Sequence, residues 1–210
     1  MKKLLFFFIL FSFSFFSLAQ NSFEKKFLAE ISKVESAKKR ADIQQSQDFF
    51  KKYESFISKE KEKKKDWRVY YYTALSLVRG ELISMRNDKV EANENNIQLA
   101  RKYLMQVFVN NSDNVESNIL LAQILLLNPN RSQINLERIN ELLLQAELKD
   151  KNNPRLAIVR GELALHQQDN QLAKNYFNSA IERFKTYDRI SKQDPNWGKE
   201  DATYYLSLIK

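Results

Sequence analysis

Residues 154–184 of this 210-residue chain read PRLAIVRGELALHQQDNQLAKNYFNSAIERF, and this stretch decides the fold class. Apolar residues recur every three or four positions on both sides of the polar HQQDN, which is the period of two amphipathic helices joined by a turn. Pro154 suits the first position of a helix, where its missing N–H leaves no bond unmade. Asp169 is typical of a residue that caps the next helix. The stretch therefore predicts a helical hairpin.

Small residues and one aromatic ring stand where these two helices would cross. They are Gly161 in the first helix and Ala173, Phe177 and Ala180 in the second. Small residues let two helix backbones approach closely, and the ring between them fills the space against the next pair. An ordinary helical bundle, with small residues at these positions by chance, is the alternative interpretation. The second-helix pattern recurs twice upstream, at Ile139, Leu143, Ala146 and at Ala100, Leu104, Val107.

These spacings resemble the tetratricopeptide repeat, whose period of 34 residues separates Ile139 from Ala173. A closer resemblance links WRVYYY at 67–72 and DPNWGKE at 194–200 to a group of secreted bacterial tetratricopeptide-like proteins. The chain departs from that group at Gln167–Asp169, a loop that is often long there. The resemblance implies a short right-handed array of about four helical hairpins with a C-terminal capping helix. It implies an extracytoplasmic protein and no particular activity.

The rest of the chain carries the same apolar spacing, so the predicted fold class is all-α. We expect a basic helical hairpin over 20–65, then helical repeats and the capping helix over 66–210. The run KEKEKKKD at 59–66 is typical of a solvated helix end followed by a linker. Asp113 and Glu116 have the spacing of a capping box at the start of the fifth helix. Trp197 is the candidate anchor of the capping helix.

The first nineteen residues have the layout of a secretory signal peptide. A basic start, Met1-Lys2-Lys3, precedes an apolar run at Leu4–Leu18, and the small residues Ser17 and Ala19 mark a cleavage site. A membrane anchor is the alternative, but the run would span only about 22 Å of a hydrocarbon core roughly 30 Å thick. The chain has no cysteine for a lipid anchor. We expect cleavage after Ala19 and a periplasmic or secreted protein that is not inserted in the membrane.

Composition excludes several classes of site. The chain has three glycines, no cysteine and one histidine, at a formal charge of +8. A glycine-rich phosphate loop needs two or three glycines close together, and zinc-thiolate and iron–sulfur sites need cysteines. We therefore predict no cofactor and no metal. Residues 20–65 carry thirteen Lys and Arg against eight Asp and Glu, so most of the positive charge precedes the repeats and does not indicate a nucleic-acid partner.

Catalytic candidates are few. His166 has Glu162 one helical turn before it, but one histidine and one glutamate do not make a metal site. No Gly-x-Ser-x-Gly motif is present. Glu81 and Glu162 each follow a glycine, a pattern that favours close helix packing beside a solvated acid. The alternative is a cell-envelope hydrolase of the glycosidase type with paired carboxylates, which needs a deep pocket where such groups converge.

Binding is the favoured function, and this hypothesis rests mainly on the tyrosines. Tyr70, Tyr71 and Tyr72 cannot share one helix face, so at least one should face away from its partner helix. The favoured interpretation is that all three still pack in the core or at its rim, and the alternative is that one is exposed on the concave surface and contacts a peptide. Aromatic and arginine side chains dominate binding hot spots. The sequence thus predicts a non-catalytic scaffold for an envelope protein or peptide, with weak binding of anionic surface polymers through 20–65 as an alternative. The candidate contacts are Arg68, Tyr71, Tyr72, Arg79, Arg155, Glu162 and His166.

Overall fold

The computed structural model describes residues 24–57, 66–111, 114–130 and 135–209. These ranges contain nine α-helices and no strand, and none of the helices is long and apolar enough to cross a membrane. The predicted signal peptide and most of the charged linker lie outside the described residues. The helices are α1 (24–36), α2 (Arg40–Ile57), α3 (Trp67–Asp88), α4 (Glu94–Asn110), α5 (Val115–Leu126), α6 (Leu136–Lys149), α7 (Pro154–His166), α8 (Asn170–Thr186) and α9 (Lys199–Leu208).

Asparagine side chains start four of the helices. Asn93, Asn114, Asn135 and Asn153 each accept a hydrogen bond from a backbone N–H two or three residues further on. Such caps satisfy donors that the first helical turn leaves unpaired. The predicted roles of Pro154 and Asp169 are confirmed, since Pro154 opens α7 and Asp169 accepts from the N–H of Leu172 at 2.9 Å before α8.

The predicted capping box at the start of α5 is wrong. Asn114 is the N-cap of that helix, and its side chain accepts from the N–H of Ser117 at 2.9 Å. Glu116 does not reach back to the helix start, because its carboxylate binds the guanidinium of Arg155, 39 residues away. Asp113 lies outside the described residues.

Consecutive helices pack in pairs, and the pairs pack on one another. The ring of Phe27 on α1 meets Phe50 on α2 at 5.6 Å, and α3 packs on α4, α5 on α6 and α7 on α8. The first helix of each later pair also contacts its successor, α3 against α5 and α5 against α7. α9 packs on α8 at the end of the array. The predicted all-α array with a capping helix is confirmed.

Gly161 allows the close crossing of α7 and α8 that its spacing predicted. A Cβ atom at this position would lie 2.6 Å from Cε1 of Phe177, well inside van der Waals contact. Phe177 is fully buried, together with Ala173 and Ala180 on the same face of α8. A glycine is therefore needed for the ring to fill this gap.

The chain turns back after α8, and α9 follows. Gly198 stands before α9 at φ 105°, a left-handed conformation that favours glycine, and a Cβ atom there would collide with Cδ1 of Ile158. Trp197 beside it is fully buried. The structure thus places Trp197 as the cap prediction requires, and packs the turn tightly against α7.

Candidate functional site

All three tyrosines of α3 are buried, as the interpretation that all three pack in the core predicts, and none is exposed to contact a peptide. Tyr70, Tyr71 and Tyr72 are at most 1% exposed. The physical reason is that α3 has no solvent face between Val69 and Ser84, where every residue is buried. Helices α2, α4 and α5 pack around it, and the C-terminal part of the chain makes further contacts with it.

Residues 193–205, called here the C-terminal segment, contact the face of α3 that the sequence analysis proposed for a partner. Nη2 of Arg68 donates to Oδ1 of Asp194 at 2.9 Å. The hydroxyl of Tyr72 donates to the carbonyl of Gln193 at 3.0 Å. The Nε1–H of Trp197 donates to the hydroxyl oxygen of Tyr71 at 2.8 Å.

Further along α3, two arginines hold the α9 portion of the same segment. Arg79 and Arg86 both bind the carboxylate of Asp201, which is 2% exposed, and the Arg86 contact is 2.6 Å long. The guanidinium of Arg86 also lies 4.1 Å from the ring centroid of Tyr204. A buried carboxylate between two guanidinium groups is costly to separate from either one.

Arg155 is fully buried beneath the same face. Its Nε and Nη2 atoms donate to the two carboxylate oxygens of Glu116 at 2.7 and 2.6 Å, a bidentate pair that Asn153 joins at 2.7 Å. Burial raises the pKa of Tyr71 well above its ordinary value, and the nearby Glu116 carboxylate adds to the rise. The hydroxyl of Tyr71 therefore stays protonated.

Glu162 is not the solvated acid that the sequence suggested. Nε2 of Gln123 donates to both carboxylate oxygens, at 2.9 and 3.1 Å. Burial raises the pKa of Glu162 from its ordinary value of 4.5 to about 8, and the charge of Asp201 adds to this rise. Tyr205 on α9 shares a hydrogen bond with the same carboxyl group. Glu162 thus joins α5, α7 and α9.

Glu81 is likewise a buried structural acid. It is 2% exposed and accepts from the backbone N–H of Asn93 and from Nδ2 of Asn96, both at 2.7 Å. Neither Glu81 nor Glu162 lines a large cleft among the described residues, and these residues hold no cluster of three or more His, Asp or Glu with metal-binding geometry. His166 is exposed at the end of α7.

Six of the seven candidate contact residues therefore surround the C-terminal segment or the buried ion pair beneath it. Arg68, Tyr71, Tyr72 and Arg79 bind the segment directly, and Glu162 reaches it through Tyr205. Peptide binding at these residues stays a prediction, and it would require the chain's own segment to leave.

An open pocket lies elsewhere, between α4, α5 and α6. It has a volume of about 530 Å³, and we call it the arginine pocket. Arg101, Met105 and Phe108 stand at intervals of four and three on one face of α4, and Leu121 and Leu125 stand one turn apart on α5. Its lining residues are Arg101, Met105, Phe108, Leu121, Leu125, Asn135 and Arg138.

Among the described residues, the lining of the arginine pocket combines apolar groups with two positive charges and no carboxylate. Arg101 forms no ion pair with another described residue. Nη1 of Arg138 binds Glu141 at 2.9 Å, but both side chains are about half exposed, and such pairs contribute little. Both guanidinium groups are thus available to a ligand. This pocket was not predicted from the sequence, because its lining comes from three helices and only the spacing of Arg101, Met105 and Phe108 on α4 is visible in the sequence.

A second open cleft, called here the terminal cleft, lies between α1 and the end of the chain. It has a volume of about 620 Å³. Leu28 of α1 and Phe184 of α8 contribute apolar surface, with the buried Ile31 behind them, and Arg189, Lys192 and Lys199 contribute positive charge. None of its lining residues belongs to the arginine pocket.

Comparison with known proteins supports the fold. No family model matches the chain, and no curated protein matches it. A solved structure does match, that of the HusA haemophore from Porphyromonas gingivalis, with a TM-score of 0.66. The two chains are 17% identical over 89% of this chain and 92% of that one. At this identity the likeness establishes a shared helical fold, and the tetratricopeptide resemblance gains no support from a family model.

Proposed function

We propose that this chain is an exported, non-catalytic binding protein whose ligand is haem or another tetrapyrrole dicarboxylate, held in the arginine pocket. The observation that carries the proposal is the part of the pocket's lining that the structure describes, in which four apolar side chains adjoin two arginines and no acid. Its volume, about 530 Å³, is within the usual range for small-molecule sites.

Tetrapyrroles of this class have the complementary chemistry. Their ring is flat and apolar, and two carboxylates project from one edge. Phe108, Leu121 and Leu125 offer apolar surface to the ring. Arg101 and Arg138 can each bind a carboxylate with two parallel hydrogen bonds, a geometry that a lysine cannot reproduce.

Met105 gives the pocket an atom that haem iron accepts as a ligand. Histidine, cysteine, methionine and tyrosine are the usual protein ligands of haem iron, and Met105 is the member of that group among the described lining residues. Its side chain is 44% exposed, so a ligand can reach the thioether sulfur. Met105 would then distinguish haem from the iron-free ring.

The structural neighbour supports the choice of ligand without deciding it. That protein is named a haemophore, and its fold matches nearly the whole of this chain. The predicted signal peptide is consistent with capture of a ligand outside the cytoplasm. The packed helix pairs supply a preformed pocket, so binding does not require the fold to be ordered first.

The test is a titration of the intact mature protein with haemin and with iron-free protoporphyrin, followed by absorbance. We expect both to bind. The double variant R101Q/R138Q should weaken both by at least about tenfold, since each lost charged hydrogen bond costs more than 1 kcal/mol. The control K102Q/K174Q removes the same charge from exposed positions outside the pocket and should bind as the parent does.

Met105→Leu separates the two ligands. It keeps the apolar volume and removes the sulfur, so it should change the haemin spectrum and leave protoporphyrin affinity within about twofold. Equal binding by R101Q/R138Q and its control would overturn the assignment of the pocket. Failure of both ligands to bind the parent protein would overturn the proposed function.

A further inference from the structure

The arginine pocket offers an iron atom one chemical kind of ligand. Met105 supplies a thioether sulfur, and the part of the lining that the structure describes contains no histidine, tyrosine, aspartate or glutamate. Thioether sulfur is a soft ligand, whereas carboxylate and phenolate oxygens are hard ligands that suit more highly charged ions. Methionine ligation raises the reduction potential of haem iron. The donor set of this pocket therefore suits ferrous iron better than ferric iron.

Met105 lies in the middle of the α4 surface that lines the pocket. Arg101 stands one turn before it and Phe108 stands one turn after it, and all three line the pocket. The backbone behind Met105 is fixed, because Leu104 and Val107 on the other side of α4 are fully buried in the core. A ring that lies against Phe108, with one carboxylate on Arg101, would thus place its centre within reach of the Met105 sulfur.

Two neighbouring groups that could offer oxygen to the iron are turned away or occupied. Tyr103 does not line the pocket, since residues two positions apart on a helix point about 160° away from one another. Burial raises the pKa of the Tyr103 hydroxyl, and the Glu54 carboxylate adds to the rise, which disfavours a phenolate. Asn135 lines the pocket, but its side-chain oxygen caps α6 by accepting the backbone N–H of Arg138 at 2.9 Å.

The charge of the pocket acts in the same direction as the sulfur. Reduction lowers the charge on haem iron by one unit, and nearby positive charge favours the less positive state. By pairing with the two carboxylates of the ligand, Arg101 and Arg138 would also offset negative charge that otherwise stabilises ferric iron. No acid in the described lining opposes this effect.

We propose that the arginine pocket distinguishes the oxidation states of haem iron and binds ferrous haem more tightly than ferric haem, with Met105 as the residue that selects. This selectivity rests on the proposed function, since it concerns the same pocket and the same ligand. The site would retain ferrous haem and release ferric haem more readily.

Anaerobic titration of the mature protein with haemin, and with haem reduced by excess dithionite, tests the selectivity. We expect the parent to bind the ferrous form at least about tenfold more tightly. In M105L that preference should shrink about tenfold, so the midpoint potential of bound haem should fall by about 59 mV, measured by spectroelectrochemistry. M85L is the matched control, because Met85 is an exposed methionine outside the pocket, and it should keep the parent potential.

Iron-free protoporphyrin separates this proposal from the proposed function. M105L should bind it within about twofold of the parent affinity, which shows that the pocket is intact. Equal affinity of the parent for ferrous and ferric haem, or the same potential in M105L and the parent, would overturn the selectivity and leave the tetrapyrrole site standing. Failure of the parent to bind protoporphyrin and both forms of haem would overturn the proposed function itself.

Discussion

At the residue scale, the single side chain of Trp197 joins the end of the chain to the body of the helical array. It is fully buried, and its indole donates to the Tyr71 hydroxyl, a residue 126 positions earlier. Tyr71 in turn lies 3.5 Å from the carboxylate of Glu116, which holds Arg155. The end of the chain is therefore tied to α3, α5 and α7 through one hydrogen-bonded network.

Replacing Trp197 by alanine removes a large buried side chain and one hydrogen bond. We expect the free energy of unfolding to fall by roughly 3 kcal/mol, measured by urea denaturation. Leu148→Ala is the control, because Leu148 is 79% exposed and its loss should change stability by less than about 0.5 kcal/mol. Equal stability of Trp197→Ala and the parent would contradict the proposed role of Trp197 in holding the end of the chain against α3.

Glu162 makes stability depend on pH in a definite direction. Its pKa is raised to about 8 in the folded protein from an ordinary value of 4.5, so between these limits the folded state holds a proton that the unfolded state releases. This contribution to stability is complete below pH 4.5 and is lost as pH rises toward 8.

Glu162→Gln removes that titration and keeps an acceptor for Gln123. The melting temperature of the parent should therefore fall relative to that of Glu162→Gln as pH is raised from 5 to 8. Glu182→Gln, at an exposed carboxylate, serves as the control and should track the parent. Parallel curves for the parent and Glu162→Gln would show that Glu162 titrates normally.

The residue scale is where sequence reasoning failed most. Tyr71, Tyr72 and Arg79 were predicted as partner contacts, and in the structure all three contact the C-terminal segment of the chain itself. Core packing of the tyrosines was among the interpretations of the sequence, but these contacts could not be predicted, since their partners lie more than 100 residues away in the C-terminal segment. The capping role predicted for Glu116 was wrong for the same reason, because its carboxylate binds a distant arginine and not the start of its own helix.

At the element scale, the spacing of apolar and small residues along the sequence predicted the structure correctly. The period of apolar residues identified the helices, and Gly161 identified the crossing of α7 and α8. Local rules suffice here because caps and helix faces involve residues only three or four positions apart. The clefts could not be predicted in this way, because each is assembled from three or more elements.

Gly161→Ala tests the crossing. In an exposed helix this change would stabilise by up to about 1 kcal/mol, but here the new Cβ meets the Phe177 ring. We expect destabilisation of about 1–3 kcal/mol by urea denaturation. Gly80→Ala is a matched control, because its nearest neighbour is the side-chain amide of Gln47 at 3.0 Å, and it should cost less.

A smaller side chain at position 177 tests whether the Phe177 ring causes the loss of stability in Gly161→Ala. In a Phe177→Leu background the ring is gone, so Gly161→Ala should cost clearly less than it does in the parent. The same cost in both backgrounds would show that the Phe177 ring does not set the helix spacing.

At the scale of the whole molecule, the end of the chain returns to pack against an early helix, α3. The C-terminal segment fills the face of α3 that sequence analysis assigned to a partner, and the open space lies in the arginine pocket and the terminal cleft. The two clefts differ in chemistry, since the described lining of the arginine pocket contains no acid, whereas Glu35 and Glu200 line the terminal cleft beside its basic residues.

Methyl NMR of the mature protein with iron-free protoporphyrin tests the central claim most directly. A bound porphyrin ring shifts nearby methyl resonances strongly through its ring current. If the ring lies in the arginine pocket, the methyl groups of Met105, Leu121 and Leu125 will show large shifts, and the resonances of Leu28 and Ile31 in the terminal cleft will be unchanged. Shifts confined to Leu28 and Ile31, or no shift at Met105 when the protein is saturated, would contradict the arginine pocket as the tetrapyrrole site.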